Sequence, residues 1–262
     1  ISVCAIAHPR INALLPQLNG GPPDCTLEFR TDGDRIQIDA KSPTKASRKP
    51  LRQWLHSLNL ESLGISGVSM NGKRLKGRAA LELEVHGVRH RLSPGTFYQV
   101  NLEVNQLLVA RLVEWVVELQ PTQILDLYSG AGNLSLPLAV QGMALSMIES
   151  GKSAVADARE AIDRMSLNVQ ITVGDASRFQ AGDQFFDLAI LDPPRAGAPG
   201  VIKQLIVTRP ASIAYISCNP STLSRDIRPA LENGYEIKSL ELFDMFPQTS
   251  HAEVLTILSR KS

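Results

Sequence analysis

The sequence predicts a mixed α/β fold, a doubly wound and mostly parallel sheet with an antiparallel C-terminal edge, preceded by a smaller α+β domain. Three observations carry this expectation. After Pro121, β-like and helix-like segments alternate, the signature of strands joined by crossover helices. Before residue 97, short alternating runs flank turn signals instead. The chain has 262 residues and is 44% hydrophobic, enough for one large and one small core.

In order along the chain, "LEFRTDGDRIQI" alternates around Asp32-Gly33 and "LELEVHGVRHRLS" repeats the pattern around His86-Gly87, so two hairpins are expected. Residues 1–96 therefore read as a small antiparallel α+β domain, and 97–262 as a second domain. From Leu102 to Leu119 apolar residues recur at three- and four-residue spacing, and Pro121 closes that helix. "QILDLYS", "ALSMIES" and "FDLAILD" read as buried strands; "KSAVADAREAIDRMS" and "PSTLSRDIRPALEN" read as the helices between them. "YEIKSLELFDMF" and "HAEVLTILSR" follow without an intervening helix, which predicts an antiparallel hairpin at the sheet edge.

Charge divides the chain. Net charge is only +1, but residues 1–100 hold 14 Lys and Arg against 8 Asp and Glu, a balance of +6. Between Lys41 and Arg78, nine basic residues stand against the single acid Glu61. On one surface such a set would neutralise phosphates; as a solvated loop it would do nothing. Three scattered cysteines, Cys4, Cys25 and Cys218, build no disulfide framework or zinc site, which favours a reducing, cytoplasmic compartment. No apolar run has the length of a membrane span, and a monomer is the default expectation.

The first strand of the larger domain runs into "DLYSGAGNLSLPLA", with Asp126 at the strand end, Gly130 and Gly132 in the turn and Asn133 at the helix start. Glycines admit close backbone approach, and helix N-termini offer free N–H groups. Glu149, 17 residues after Gly132, ends the next strand, where it can accept from ribose hydroxyls. A dinucleotide and S-adenosylmethionine both fit. Ser135 stands where a pyrophosphate loop has its third glycine, and Asp175 in "VGDASRF" is placed to meet an adenine amine. Acids at three strand ends suit a sulfonium and an amine better than a pyrophosphate.

"LAILDPPRAG" puts Asp192 before two prolines at the fourth strand end, a rigid rim. Cys218 closes "IAYISC", level with Asp192. A strand cysteine is usually inert; here the helix starting at Pro220 to Thr222 is expected to lower its pKa and make it a nucleophile. Glu253 opens the last strand. Turned into the cleft, it would be raised by burial into the range of a general base, with His251 as the competing base two residues away.

Together "FYQVN", "DLYSGAGNLSLPLA", "LDPPRAG", "YISCNPSTLSRDI" and "MFPQTSHAE" resemble the RNA uracil-5-methyltransferase family, which makes 5-methyluridine in tRNA and ribosomal RNA. The resemblance implies a Rossmann-like S-adenosylmethionine-dependent methyltransferase fold. It implies cofactor contacts at Gln99, Tyr128, Asn133, Glu149 and Asp192, a nucleophile at Cys218 and a base at Glu253 rather than His251. RNA is the implied partner, with a slight lean to the ribosomal branch, and the basic N-terminal domain is expected to contact it. Many members begin with an RNA-binding barrel and several carry a four-cysteine iron–sulfur site. Residues 1–262 show neither pattern and support no such cluster, and since they open inside a family-like stretch, a truncated chain or an unusually short gene is the expectation.

Other readings carry less. An RNA cytosine-5 methyltransferase would use the same cysteine addition. An RNA-binding or folding factor with a vestigial cofactor fold would have no need of Cys218, Asp192 and Glu253 together, and Ser135 disfavours a dinucleotide oxidoreductase.

Overall fold

A computed structural model describes residues 2–78, 80–180, 182, 184–245, 247–249 and 252–261. The chain divides into two compact units, Ile1–Leu83 with Arg91–Thr96, and Glu84–His90 with Phe97–Ser262.

The first unit starts with helix α1 (Pro9–Leu14), which His8 caps and a 3-10 turn, Leu15–Gln17, extends. Strands β1 (Thr26–Thr31) and β2 (Ile36–Lys41) form the expected hairpin around Asp32-Gly33. Helix α2 (Lys45–Ser57) follows, held at its start by reciprocal bonds between Thr44 and Ser47. It leads to β3 (Ile65–Met70) and β4 (Lys73–Gly77). One expectation fails here: the sheet is mixed, because β2 and β3 run parallel, while β1–β2 and β3–β4 are antiparallel. The cause is α2, whose length allows a crossover where a hairpin turn would not. Leu51 and Leu55 of α2 pack on Ile36, Ile38 and Val68 to form this unit's core.

The basic stretch is ordered rather than a loop. Lys45, Arg48, Lys49 and Arg52 recur at helical spacing on α2 and are all exposed, while Leu51 and Leu55 of the same helix are buried. Lys76 of β4 is committed elsewhere, donating to the carbonyls of His56 and Leu58 at the C-terminal end of α2.

A two-residue turn, His86-Gly87 with both φ positive, joins β5 (Leu81–Val85) to β6 (Val88–Leu92) as the predicted second hairpin. In the second unit, α3 (Leu102–Leu119) has the predicted bounds, capped by Asn101 and ended by Gln120 in the left-handed region. Then come β7 (Gln123–Leu127), α4 (Leu136–Val140), β8 (Ala144–Glu149), α5 (Lys152–Met165), β9 (Val169–Val173) and β10 (Leu188–Leu191). They are followed by α6 (Pro199–Thr208), β11 (Ser212–Ser217), α7 (Pro220–Glu232), β12 (Tyr235–Phe243) and β13 (Glu253–Arg260). A 3-10 turn, Ala176–Arg178, follows β9.

The seven-stranded sheet has the order β12-β13-β11-β10-β7-β8-β9. Only β13 runs against its neighbours, and it lies inside β12, between β12 and β11. The predicted antiparallel hairpin is therefore present, with its second strand inserted into the sheet. One face packs on α3 through Leu108, Leu112 and Val116, the other on α6 and α7 through Val201, Leu205 and Ile227. The architecture is the Rossmann-like mixed α/β sandwich that the sequence predicts.

Candidate active site

Four adjacent strands deliver their reactive side chains to one end and one face of the sheet. The pleat sends Ile124, Ile190, Ile216 and Leu255 to the α3 face. The next position of the same parity toward the site is Asp126 on β7, Asp192 after β10, Cys218 after β11 and Glu253 at the start of β13. Because β7, β10 and β11 are parallel and β13 antiparallel, three C-terminal ends and one N-terminal end meet there. One thiol and three carboxylates are thereby gathered, in the crevice where open α/β sheets bind ligands.

Cys218 is half-buried at the junction of β11 and α7. Asn219 caps α7 by accepting from the Ser221 N–H at 3.1 Å, and Pro220 takes the first helical position. The expected lowering of the thiol pKa does not occur. Burial raises it and the charge of Glu253 raises it further, against a hydrogen bond and positive charge from Arg195. Desolvation and the neighbouring carboxylates outweigh the contribution of Arg195.

Glu253 is not the surface residue that a carboxylate opening a strand often is. It is 4% exposed, its Oε2 has no hydrogen-bond partner, and burial raises its pKa while Arg195 pulls the other way. Asp192 is pushed up to about 8 by burial and by the charges of Glu253 and Asp126. Asp126 lies one residue inside the end of β7, with neither oxygen partnered, and is pushed up to about 7 by burial and by Glu149. The Ser135 hydroxyl opposes this shift without reaching sound hydrogen-bond geometry. Buried carboxylate oxygens are seldom left unpaired, and here they fit a ligand that brings donors or positive charge.

The glycine turn lies beside them. Tyr128 and Ser129 N–H both reach the Ile148 carbonyl, and Tyr128 itself is left-handed at φ 65°. At Gly132, φ is 84° and a Cβ would run into the Leu136 side chain, so only glycine fits. Glu149 is held at the end of β8 by the Gly130 N–H at 3.0 Å on Oε2 and the Gly151 N–H at 2.6 Å on Oε1. Oε1 also accepts from the Ser150 hydroxyl at 3.2 Å, so Oε2 is the oxygen that keeps a lone pair for a hydroxyl-bearing ligand.

The other predicted residues take varied positions. Gln99 is buried just before α3. Asn133 exchanges two hydrogen bonds of 2.8 Å with Asn105, so its amide is oriented by α3. Asp175 lies two residues past β9 and is exposed, its Oδ1 accepting from the Ser177 N–H and hydroxyl, with Arg178 at 3.4 Å. Those bonds hold its carboxyl below the usual range. His251 lies outside the described residues.

Two residues escaped the sequence reading. Arg195 reaches Cys218 and influences Glu253; its signal was its place directly after the double proline. Asn105 is fully buried on the apolar face of α3, and its signal was an amide inside an apolar stripe.

Comparison with known proteins gives the family and the fold. The family model described as tRNA (uracil-5-)-methyltransferase matches residues 67–261. A 23S rRNA (uracil(1939)-C(5))-methyltransferase, RlmD, of Salmonella typhi is 33% identical over 280 residues, covering 99% of this chain and 63% of the relative. The RlmD of Enterobacter sp. strain 638 is 33% identical over 273 residues, covering 98% and 63%. The chain thus spans about 63% of the length of these curated relatives. Among solved structures, the Pyrococcus abyssi tRNA (uracil-54, C5)-methyltransferase in complex with S-adenosyl-L-homocysteine superposes with a TM-score of 0.71 at 25% identity. That match covers 88% of this chain and 58% of the archaeal one. With three quarters of its length matched and a thiol, an acid rim and a glycine turn assembled at one sheet end, the chain belongs to the tRNA (uracil-5-)-methyltransferase family.

Proposed function

We propose that this chain is the catalytic part of an S-adenosylmethionine-dependent RNA methyltransferase that forms 5-methyluridine. The observation that carries the reading is the convergence of Cys218 and Glu253 beside Asp192 on one face of the sheet. S-adenosylmethionine, when bound, supplies an electrophilic methyl group. Asp126, with its unpartnered oxygens, Glu149 and the turn at Gly130 to Gly132 fit its positive charge and hydroxyls. Gln99, Tyr128, Asn133, Asp175 and Asp192 complete the set of residues assigned to hold it.

Uracil C5 is a poor nucleophile. In this reading the Cys218 thiolate adds to C6, forming the S–C6 bond and moving the C5–C6 electron pair into an enolate with density on C5. Gln99 donates a hydrogen bond to O4 as that charge develops. After C5 gains its methyl, Glu253 takes the C5 proton. The electron pair restores the C5–C6 double bond, and the C6–S bond breaks to release the thiolate. A carboxylate raised by burial is suited to this task. The target base leaves its stack to reach the cleft, and the basic face of α2 in the first unit grips the RNA backbone.

Ribosomal RNA is the favoured substrate, on the names of the two RlmD relatives. A monomer acting in the cytoplasm is the simplest form, since every assigned group comes from one chain and all three cysteines are free. The test is incubation of the protein with labelled S-adenosylmethionine and 23S rRNA or tRNA, followed by nucleoside analysis. Label in 5-methyluridine is expected with the parent protein and not with Cys218→Ala. Label in 5-methylcytidine, or full turnover by Cys218→Ala, overturns the reading.

A further inference from the structure

The Asp192–Ala198 segment is fastened from the opposite face of the sheet. Residues 194–197 form a turn closed by the Gly197 N–H on the Pro194 carbonyl at 2.7 Å, with Arg195 at its tip. Helix α7 holds this turn through two adjacent residues. Arg225 donates to the Ala196 carbonyl at 2.7 Å, and Asp226 accepts from the Ala198 N–H at 2.6 Å. Asp226 is fully buried and also accepts from the Tyr215 hydroxyl at 2.8 Å, while Arg225 closes an ion pair on its other oxygen at 2.6 Å. Gly197 is left-handed at φ 77°, and a Cβ there would overlap Asp226 Oδ2, so the turn and the carboxylate fit only without a side chain. A buried charge is costly unless fully bonded, and Asp226 is bonded by three groups that converge on this one turn.

We propose that Arg225 and Asp226 are positioning residues for Cys218: they hold the Pro194–Gly197 turn so that the Arg195 side chain stays on the thiol. Tyr215 lies two residues before Ser217 on β11 and three before Cys218, so the strand that carries the nucleophile is tied to the turn that carries its cation. The proposal rests on the assignment of Cys218 as nucleophile. Arg195 then favours the thiolate against burial and Glu253, and the clasp fixes the backbone from which the Arg195 side chain reaches the thiol.

The experiment reads thiol reactivity without RNA or cofactor. In a Cys4→Ser, Cys25→Ser background, the rate of Cys218 alkylation by iodoacetamide is followed against pH. Arg195→Gln is expected to move the apparent thiol pKa up by about one unit, the shift a neighbouring opposite charge gives. Asp226→Asn is expected to move it the same way by a smaller amount, and the Arg195→Gln, Asp226→Asn double variant no further than Arg195→Gln alone. An unchanged titration in a folded Asp226→Asn protein, or effects that add in full, overturns the proposal. Should thermal melting show Asp226→Asn unfolded, Arg225→Gln takes its place, since Arg225 is half-exposed and its replacement removes the Ala196 bond directly. An unchanged titration there overturns the proposal equally. Failure of the parent protein to methylate uridine would sink the functional reading while leaving this titration cycle to stand or fall by itself.

Discussion

Cys218 and Glu253 stand opposite one another by one step of antiparallel register: Ser217 of β11 pairs with Val254 of β13, and the next residues outward are the thiol and the carboxylate. The same relationship makes each sensitive to the other, since the Glu253 charge raises the thiol pKa. The residues proposed as nucleophile and base thus form a cross-strand pair on neighbouring strands.

Replacing Glu253 with Gln is therefore expected to have two separable effects. The C5 proton can no longer be removed, so a covalent RNA adduct accumulates and migrates as a slow band on a denaturing gel. With RNA absent, the apparent pKa of Cys218 falls, and iodoacetamide reacts faster at neutral pH. An unchanged alkylation profile would mean that the two groups do not interact.

The unliganded site is expected to cost stability as pH rises from the acid range through about 8. Asp126 and Asp192 have pKa values raised from 3.8 to about 7 and about 8. A carboxyl raised on folding contributes stability that is fully present below its unfolded pKa and is lost as pH rises through the folded value. Asp192→Asn should therefore gain unfolding free energy relative to the parent as pH is taken from 3.8 past 8, by on the order of 1 kcal/mol or more, with the gain levelling off at lower pH for Asp126→Asn. Calorimetry across that range checks it. Differences that stay flat with pH would remove the buried carboxylates from the account.

Asn133 is expected to serve stability as well as the cofactor. Asn133→Ala leaves the fully buried Asn105 amide without its two bonds and should cost about 1–3 kcal/mol. Adding Asn105→Ala should cost less than its own single effect, because the pair is already broken. Urea denaturation of the single and double variants measures the coupling.

The two glycines of the turn are expected to differ. Gly130→Ala meets open space and suffers only the left-handed backbone cost, about 1–2 kcal/mol. Gly132→Ala carries the same cost plus overlap with Leu136, whose Cδ1 lies 2.7 Å from the added carbon, and with Met147 at 3.2 Å, so about 1–3 kcal/mol more is expected. Equal melting temperatures for the two variants would contradict the described packing.

On the RNA side, charge reversal at Lys49 or Arg52 should weaken binding of unrelated RNAs to a similar degree. It should also reduce the slope of log affinity against log salt by roughly 0.7–0.9 for each phosphate that is no longer neutralised. Both side chains are exposed on α2. A filter-binding titration at several salt concentrations is sufficient.

Much of this molecule is written in local pattern. The 18 residues of α3, the β7 to β11 alternation and the Asn219-Pro220 helix start follow from periodicity, capping and backbone restriction, which act over a few residues and so are legible in the chain. The residue types at the sheet end were legible for the same reason, since each of Asp126, Asp192, Cys218 and Glu253 borders a strand or lies near its end. Tertiary structure alone decided what those groups became. The parallel pairing of β2 with β3 depended on how α2 packs, which no turn signal encodes. The insertion of β13 beside β11 set Cys218 against Glu253, and burial with unlike and like charges nearby turned an expected low thiol pKa into a raised one. Asn105 and the Arg225–Asp226 clasp work through bonds made across 28 or 29 residues of sequence, and Arg195 reaches Cys218 from a different strand end. Hydrogen bonding and desolvation depend on which atoms share a volume, and that is fixed only when the strands have found their register.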